Sequence, residues 1–175
     1  MNEYQQAFEE LQSKHTFKGM QWFGDRKELV ERYSWAVPNE SVLLYLSEFE
    51  QLVEVGAGSG YWAHCIEENG GSVEAIEPEP PGETYVELEQ RLVDSSELTG
   101  EAVLMVWPPV NEPLAKDVVE QDPSHILYVG ETRGGCTASD EFFDALEGRY
   151  GLVAKIDLPS FAGVNDDFFH YVRKI

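Results

Sequence analysis

The sequence predicts one α/β domain of 175 residues, in which a doubly wound, mostly parallel sheet follows a group of N-terminal helices. Three observations support this fold class. From residue 51 onward, short apolar runs alternate with helix-like stretches, which is typical of a parallel sheet covered on both faces. The first fifty residues have helical periodicity instead. The last two apolar runs are joined without a helix, which favours one antiparallel strand at the end of the sheet.

The N-terminal segment, residues 1–50, is predicted to be helical. Its clearest signal is Asn39, a helix-capping residue, with Val42 and Leu46 following on one helical face. The aromatic stretch between residues 33 and 38 has two open interpretations. It is either a lid that folds over a ligand or a packing segment that shields the core from water.

The sheet segment, residues 51–175, contains six clear apolar runs and one weak run, so we expect about six to seven strands. The clear runs are Leu52 to Val55, Val73 to Ile76, Ala102 to Val106, Ile126 to Val129, Leu152 to Ile156 and Phe168 to Arg173, and the weak run is Glu89 to Val93. Helices are predicted at Tyr61 to Asn69, Pro113 to Gln121 and Ser139 to Glu147. The first is closed by Gly70 and Gly71 and the last by Gly148.

Two connections lack a helix. The chain after Ile76 reads Glu-Pro-Glu-Pro-Pro-Gly, and these prolines are incompatible with a helix interior. One crossover helix is therefore expected to be missing there. The segment from Pro159 to Asp167 also has no helical pattern, so we expect the strands on either side of it to pair as an antiparallel hairpin.

Charge restricts the classes of function. Twelve Lys and Arg against 33 Asp and Glu give a net charge of −21, which disfavours nucleic-acid binding at low salt. Two origins of the acidity remain open: adaptation to a salt-rich cytoplasm, where screening removes the self-repulsion, and an acidic face in ordinary salt. Melting temperatures in rising KCl separate them, because only the salt-adapted protein gains stability above moderate salt.

Composition also bears on location and metal binding. No apolar run approaches the length needed to span a bilayer, and the N-terminus has no basic start followed by an apolar core. We therefore expect a cytoplasmic protein with no membrane contact. The two cysteines and four histidines show no metal-ligand spacing, so we expect no metal site.

A glycine-rich turn follows the first predicted strand. Glu54 lies near the end of that strand, and Gly56, Gly58 and Gly60 allow the backbone to approach a ligand where a Cβ would collide. The helix that follows presents free N–H groups and the positive end of its dipole. A dinucleotide site requires a small residue at position 61, and Tyr61 therefore argues against NAD or FAD.

Two acidic positions suit a nucleoside ligand at the same edge of the sheet. Glu77 closes the second strand, 17 residues after Gly60, where dinucleotide folds place an acid that accepts ribose hydroxyls. Asp94 and Ser95 follow the weak run. Together with the strand order, these motifs resemble the class I S-adenosylmethionine (SAM) dependent methyltransferases, over roughly residues 51–175.

The resemblance implies a Rossmann-like core with SAM as its cofactor, and a role for each motif residue. It places Glu54 against the methionine ammonium, Gly56, Ala57, Gly58 and Gly60 in the cofactor-binding turn, Glu77 on the ribose hydroxyls, and Asp94 and Ser95 at the adenine edge. For Asp94 a turn-capping role remains an equal alternative.

Candidate catalytic residues follow the next two strands. The sequence Trp107-Pro108-Pro109 partly resembles the Asp/Asn-Pro-Pro-aromatic motif of enzymes that methylate base amino groups. Trp107 cannot accept a hydrogen bond from an amine, so adenine methylation is not expected; it either walls the methyl-transfer and cofactor pocket or fills the core. Glu131 lies in a glycine-rich loop and either acts as a general base or orienting group, or belongs to a capping turn.

The sequence thus predicts a SAM-dependent methyltransferase that acts on a small molecule or a protein. The alternative is a catalytically idle Rossmann-like module that works through partners, such as a subunit of a viral or other assembly. The small size, the missing crossover helix and the incomplete Trp-Pro-Pro motif motivate the alternative. The acceptor and the oligomeric state are not determined by any motif.

Overall fold

The computed structural model describes residues 1–175 as six helices and six strands in one sheet. The helices are α1 (Glu3–Lys14), α2 (Met20–Arg32), α3 (Glu40–Ser47), α4 (Tyr61–Glu68), α5 (Leu114–Glu120) and α6 (Asp140–Arg149). The strands are β1 (Leu52–Val55), β2 (Val73–Ile76), β3 (Ala102–Val106), β4 (His125–Gly130), β5 (Tyr150–Asp157) and β6 (Asp167–Arg173). No helix is both long and apolar enough to cross a membrane.

The sheet has the order β2-β1-β3-β4-β6-β5. The first four strands in this order are parallel, and β6 runs antiparallel to both β4 and β5. The α/β, mostly parallel fold with an antiparallel C-terminal strand is therefore confirmed. The carboxyl ends of β1 to β4 and the start of β6 lie at one edge, which we call the carboxyl edge.

Helices cover both faces of the sheet, as the doubly wound prediction requires. Alternate residues of β3 separate the two layers: Leu104 packs in a core formed with α1 to α4, and Val103 and Met105 pack against α5 and α6. The three N-terminal helices confirm the helical prediction for residues 1–50. The capping prediction is also confirmed, since the Asn39 side chain accepts a hydrogen bond from the Val42 N–H at 3.0 Å.

Glycines end one predicted helix and not another. Gly70 has φ +87°, and the N–H groups of Gly70 and Gly71 bond back to carbonyls of the last turn of α4, as predicted. Helix α6 instead continues through Gly148 to Arg149, so the predicted end at Glu147 is wrong. The Arg149 guanidinium donates to the Val119 carbonyl and to Asp122, and these bonds hold the two additional residues in the helix.

The weak strand predicted at Glu89 to Val93 is wrong. Only one residue of it pairs with the sheet, in a parallel bridge between Ile76 and Glu89. The connection between β2 and β3 contains no helix, as predicted. Because no helix covers this segment, Leu92 remains 77% exposed, and the chain lacks the two-sided burial that stabilises a parallel edge strand.

Candidate active site

The glycine turn after β1 adopts a backbone that only glycine enters readily. Gly56, Gly58 and Gly60 have φ values of +71°, +57° and +75°. The N–H groups of Gly56 and Ala57 donate to the Ile76 carbonyl at 3.0 and 3.2 Å, which ties the turn to the end of β2. The turn therefore holds the first two strands together at the carboxyl edge.

The glycines differ in what surrounds them. A Cβ on Gly60 would lie 2.7 Å from Val86, so this glycine permits close packing against the chain after β2. A Cβ on Gly58 would meet no atom within 4 Å. Gly58 therefore faces open space, which is the position where a ligand can approach the backbone.

Glu54 is buried beneath the turn. Its side chain is 1% exposed, and one carboxylate oxygen, Oε2, has no hydrogen-bond partner. Burial raises the pKa of Glu54 to about 8, the Ala63 backbone N–H opposes this rise, and the nearby Glu77 carboxylate adds to it. Glu54 is thus an incompletely satisfied carboxyl group at the N-terminal end of α4.

Glu77 joins the turn to the chain after β2. Its Oε2 accepts a hydrogen bond from the Gly58 N–H and its Oε1 from the Glu79 N–H, both at 3.0 Å. Each carboxylate oxygen has a second lone pair, so Glu77 can also accept hydrogen bonds from ligand hydroxyls. The side chain lines the cleft described next.

An open cleft of about 400 Å³ lies at the carboxyl edge above this turn. Ligands of open α/β sheets bind at such a position. Its lining combines backbone of the turn, apolar side chains and charged groups. The lining residues are Trp35, Val55, Gly56, Gly58, Ile76, Glu77, Pro78, Arg91, Leu92, Val93, Val106, Trp107, Pro108, Pro109, Glu112 and Leu114.

Arg91 organises the irregular wall of the cleft. Its guanidinium donates to Glu97 at 2.5 and 2.9 Å, to Glu89 at 2.6 Å and to Glu74 at 3.2 Å. The Glu97 carboxylate also accepts the Asp94 N–H at 2.8 Å. This network holds the loop between β2 and β3 in place, although the loop has no regular secondary structure. The sequence did not point to Arg91.

Asp94 and Ser95 are exposed and lie just beyond the cleft lining, which ends at Val93. Neither side chain makes a hydrogen bond within the protein. The turn-capping alternative for Asp94 is therefore not observed, because Glu97 supplies the carboxylate that closes this turn.

Trp107 lies at the mouth of the cleft in a strained backbone. Its φ is +53°, which a bulky side chain adopts at a cost of roughly 1–3 kcal/mol. Three contacts hold it there. The Trp107 N–H donates to the Val129 carbonyl at 2.8 Å, the indole N–H donates to Asp166 Oδ1 at 2.7 Å, and the ring stacks on Trp35 with centroids 5.0 Å apart.

Asp166 was not identified from the sequence. It is buried at the start of β6, and burial raises its pKa to about 6, although the Trp107 indole N–H lowers it and the Glu131 carboxylate raises it further. Its position follows from the antiparallel β6, whose first residues reach the carboxyl edge. An acid directly before a predicted antiparallel strand was the available signal.

Glu131 is buried and connects two loops. Its Oε2 accepts the Cys136 N–H at 2.6 Å and its Oε1 accepts the Asn165 N–H at 2.8 Å. It does not line the cleft. Both oxygens are therefore engaged by backbone groups, in the loop after β4 and in the loop before β6.

The stretch from Tyr33 to Val37 makes the predicted packing contacts, and its role as a lid stays a prediction. Tyr33 is buried, stacks on Tyr4 and accepts the Ser59 hydroxyl at its carbonyl, which are packing contacts. Trp35 is 52% exposed and lines the cleft.

The structure thus brings Gly56, Gly58, Glu77 and Trp107 together around the cleft, with Glu54 beneath the turn.

Comparison with known proteins supports the fold. No protein-family model and no curated protein matches the chain. Among solved structures, it is similar to magnesium protoporphyrin IX methyltransferase from Synechocystis, solved with bound SAM, with a TM-score of 0.57, 10% identity and 77% of each chain covered. The chain has the class I methyltransferase fold.

Two further structures share this fold. A Burkholderia thailandensis 1,6-didemethyltoxoflavin-N1-methyltransferase, solved with its substrate and S-adenosylhomocysteine, gives a TM-score of 0.53 at 17% identity and covers 78% of each chain. A Thermoplasma acidophilum protein gives 0.51 at 15% identity and covers 83% of this chain and 93% of its own. At these identities the similarity establishes the methyltransferase fold and leaves the ligand to be argued from the site.

Proposed function

We propose that the protein binds SAM at the carboxyl edge and transfers its methyl group to a small molecule. The observation that carries this proposal is the pairing of an open glycine turn with carboxylates on both sides of it. Gly58 leaves room for a ligand, while Glu54 lies beneath the turn and Glu77 beside it. The Glu77 carboxylate repels a pyrophosphate. A ligand that carries an ammonium favours the ionised form of Glu54, because an adjacent positive charge lowers the pKa of a carboxyl group.

The acidic residues predicted to hold the cofactor have distinct physical roles in this proposal. The unpartnered Glu54 oxygen favours a nearby ammonium, and Glu77 accepts the ribose hydroxyls. Ile76, Val93 and Leu114 provide apolar surface for the adenine. Asp94 and Ser95 reach the adenine edge only from the rim of the cleft.

Bound SAM supplies a methyl group that its sulfonium already activates. The main work of the chain is then to align the acceptor and to exclude water. We assign the alignment to Trp107, because three contacts fix its ring at the mouth of the cleft. Glu131 is assigned to loop support rather than to proton transfer, because backbone N–H groups occupy both of its oxygens.

A small-molecule acceptor is favoured over a protein or a nucleic acid. The structurally similar enzymes named above act on a porphyrin and on a toxoflavin precursor, while a Streptococcus pneumoniae protein of the same fold is described as a tRNA methyltransferase. The fold alone therefore does not select the acceptor. A net charge of −21 opposes nucleic acid at low salt. The proposals of a cytoplasmic location and a salt-adapted source rest on the sequence alone.

Two glycine variants test the proposal. Gly58→Ala and Gly70→Ala each place a Cβ on a residue with positive φ and no atom within 4 Å. Both should lose about 1–2 kcal/mol of stability from backbone strain. Only Gly58→Ala should weaken binding of SAM and S-adenosylhomocysteine in isothermal titration, by at least tenfold. Equal affinities in the two variants, or no binding by the wild type up to millimolar cofactor at high salt, contradict the proposal.

Turnover separates the enzyme from the idle module. The irregular wall between β2 and β3 is the feature that favours the module, because there a loop replaces a strand and a helix. Tritiated SAM with a cell extract depleted of macromolecules should yield labelled small molecules. Binding without any label transfer, to small molecules or to proteins, supports the module.

A further inference from the structure

We propose that Asp166 is a positioning residue for methyl transfer, which holds the Trp107 indole in place at the mouth of the cofactor cleft. This inference rests on the proposed function and adds the residue that controls the alignment assigned to Trp107. The Trp107 indole N–H donates to Asp166 Oδ1 at 2.7 Å. Asp166 does not line the cleft, so it acts on a bound ligand only through Trp107.

Of the three contacts of Trp107, the bond to Asp166 controls the direction of the ring. The backbone N–H of Trp107 fixes the main chain to Val129 and does not restrain the side chain. The Trp35 ring stacks on the indole with the planes 8° apart, but it is 52% exposed and leaves the N–H edge of Trp107 unrestrained. Asp166 fixes this edge, and a hydrogen bond to a charged acceptor is roughly twice as strong as a neutral one.

The bond to Asp166 opposes the backbone strain at Trp107. The φ of +53° is a conformation that bulky side chains rarely adopt. A residue remains in such a conformation only where its surroundings hold it there. Without the Asp166 acceptor, we expect the backbone to relax and the indole to leave its position at the mouth of the cleft.

The Asp166 carboxylate serves this bond alone. The Trp107 indole is the one group in the protein that donates to the Asp166 side chain. Glu131, the neighbouring buried acid, differs, because both of its oxygens accept backbone N–H groups. The two acids therefore have different roles: Glu131 holds two loops together, and Asp166 holds the indole.

The loop that carries Asp166 is fixed independently of Trp107. The Asp166 N–H donates to Ser160 Oγ at 2.9 Å, across the turn of the loop. Phe161 follows Ser160 and is buried, with its ring centroid 5.0 Å from that of Phe8 in α1. Because the backbone at Asp166 is held in this way, its carboxylate can impose a fixed position on the indole.

The charge of Asp166 depends on several neighbouring groups. Burial raises its pKa to about 6; the Trp107 N–H and the Arg26 guanidinium lower it, whereas Glu131 and Asp167 raise it further. The other titratable groups that face Asp166 are Tyr4 in α1, Tyr128 in β4 and Cys136 in the loop after β4. Asp166 is therefore ionised above about pH 6, and below that pH its neutral carboxyl group accepts a weaker hydrogen bond.

Indole resonances test the bond without any acceptor or cofactor. The chain has four tryptophans, and the signal lost in Trp107→Phe identifies the Trp107 indole in a ¹H–¹⁵N spectrum. We expect this resonance to move with a midpoint near pH 6 in the wild type and to stay constant in Asp166→Asn. The Trp62 indole donates to the Ala36 carbonyl, which does not titrate, and its resonance should stay constant in both proteins. A Trp107 resonance that is insensitive to pH in the wild type overturns the proposal.

Methyl transfer tests the positioning role. With saturating tritiated SAM and a cell extract depleted of macromolecules, Asp166→Leu should transfer label about tenfold more slowly than the wild type. Asp166→Asn keeps an acceptor oxygen and should be about three- to fivefold slower at neutral pH. Titration calorimetry should show a smaller loss of SAM affinity than of transfer rate in both variants. A loss of affinity that accounts for the whole loss of rate overturns the positioning role.

Asp167→Asn is the matched control, because it makes the same substitution at the neighbouring acid, which pairs with Lys155 instead of Trp107. It should transfer label at the wild-type rate. Equal losses in Asp166→Asn and Asp167→Asn would mean that the negative charge matters and the bond to the indole does not, and this result overturns the proposal.

A double variant shows whether Asp166 acts through the indole. Trp107→Phe has no N–H to donate, so Asp166→Asn should cause no further loss of transfer in that background; a further loss of the same size overturns the proposal. If Trp107→Phe transfers no label, the pH dependence decides. The rate ratio of wild type to Asp166→Asn should fall toward one below about pH 6, because both acceptors are then neutral, and a constant ratio contradicts the proposal.

The positioning role and the proposed function fail separately. A wild type that transfers no label removes the proposed enzymatic function, while the Trp107 resonance still reports whether Asp166 holds the indole. A wild type that transfers label at the same rate as Asp166→Leu leaves the proposed function standing and overturns the positioning role. If Asp166→Leu does not fold, the comparison is made with Asp166→Asn.

Discussion

Two groups of buried polar side chains lie at opposite edges of the sheet and differ in how well they are satisfied. At the amino edge, His125 and His170 are 2.9 Å apart, and the Tyr45 hydroxyl lies 2.7 Å from the other nitrogen of His170. At the carboxyl edge, Glu54 and Arg26 each bury an atom that has no partner. The same fold therefore completes its hydrogen bonds at one end and leaves them incomplete at the other.

The difference separates a structural polar cluster from a binding site. Buried polar groups without partners destabilise a protein, so they are few and their position is informative. Of the four side chains that bury such an atom, Glu54 lies beneath the glycine turn of the cleft, and Gln5, Trp22 and Arg26 belong to α1 and α2. The cleft also contains Trp107, the bulky residue with a positive φ. Strain and missing hydrogen bonds cluster at functional sites. The histidine cluster has neither feature and is best explained by packing beneath α3.

The largest expected effect concerns Glu54 and pH. Its pKa is raised from 4.5 to about 8, so burial stabilises the neutral form, and this contribution is lost as the pH rises toward 8. Relative to Glu54→Gln, the wild type should lose about 1.4 kcal/mol of unfolding free energy per pH unit between roughly pH 5 and 8. Urea unfolding at four pH values measures the difference between the two proteins.

Glu68→Gln is the control for this series, because Glu68 is exposed on the same stretch of chain. Its difference from the wild type measures the effect of removing an exposed carboxylate. If the Glu54→Gln difference does not change with pH, the buried carboxyl group at the carboxyl edge has no such cost, and the contrast between the two edges would disappear.

A smaller effect is expected for Glu77. The two carboxylate oxygens of Glu77 accept hydrogen bonds from the Gly58 and Glu79 N–H groups. The variant Glu77→Gln replaces one of these oxygens with an NH₂ group, which can only donate. The affinity for SAM should fall by about ten- to a hundredfold, or roughly 1.4–2.8 kcal/mol. Isothermal titration measures it, and Glu79→Gln removes the same charge from an exposed neighbour. Equal losses in both variants would indicate a general charge effect rather than a specific site.

The sequence predicted the regular part of the carboxyl edge and missed the irregular part. The turn from Gly56 to Gly60 was recognisable because glycine spacing reports local backbone geometry directly. Arg91 and Asp166 were not, because their roles depend on loops whose paths are set by tertiary contacts. The strand at Glu89 to Val93 failed for the same reason: apolar residues indicate a strand only where another layer covers them.

The pattern of charges in the sequence also does not reveal contacts that depend on tertiary structure. The basic segment around α2 is visible in the sequence, but its helical pattern does not show which cation lacks a partner. Arg26 and Lys27 are neighbours in the chain, yet only Lys27 forms an ion pair. This distinction exists only after the helices dock on the sheet.

The smallest effect is expected at the amino edge. Burial lowers the pKa of His170 to about 4, and the neighbouring His125 lowers it further. Burial also lowers the pKa of His125. Because the folded pKa is depressed, the contribution to stability is present above pH 6.5 and is lost as the pH falls toward 4. His170→Phe keeps the aromatic contacts with Tyr45 and removes the titrating group.

We therefore expect His170→Phe to be less stable than the wild type at pH 7, by roughly 1–2 kcal/mol for its lost hydrogen bonds. This deficit should shrink by a similar amount between pH 6.5 and 4.5. His64→Phe, at a histidine that forms no side-chain hydrogen bond, controls for the replacement of an imidazole by a phenyl ring. Cofactor binding should be unchanged in His170→Phe at pH 7.5. A loss of SAM affinity there would mean that the histidine cluster belongs to the site, and that completed hydrogen bonds do not distinguish structural from functional groups in this protein.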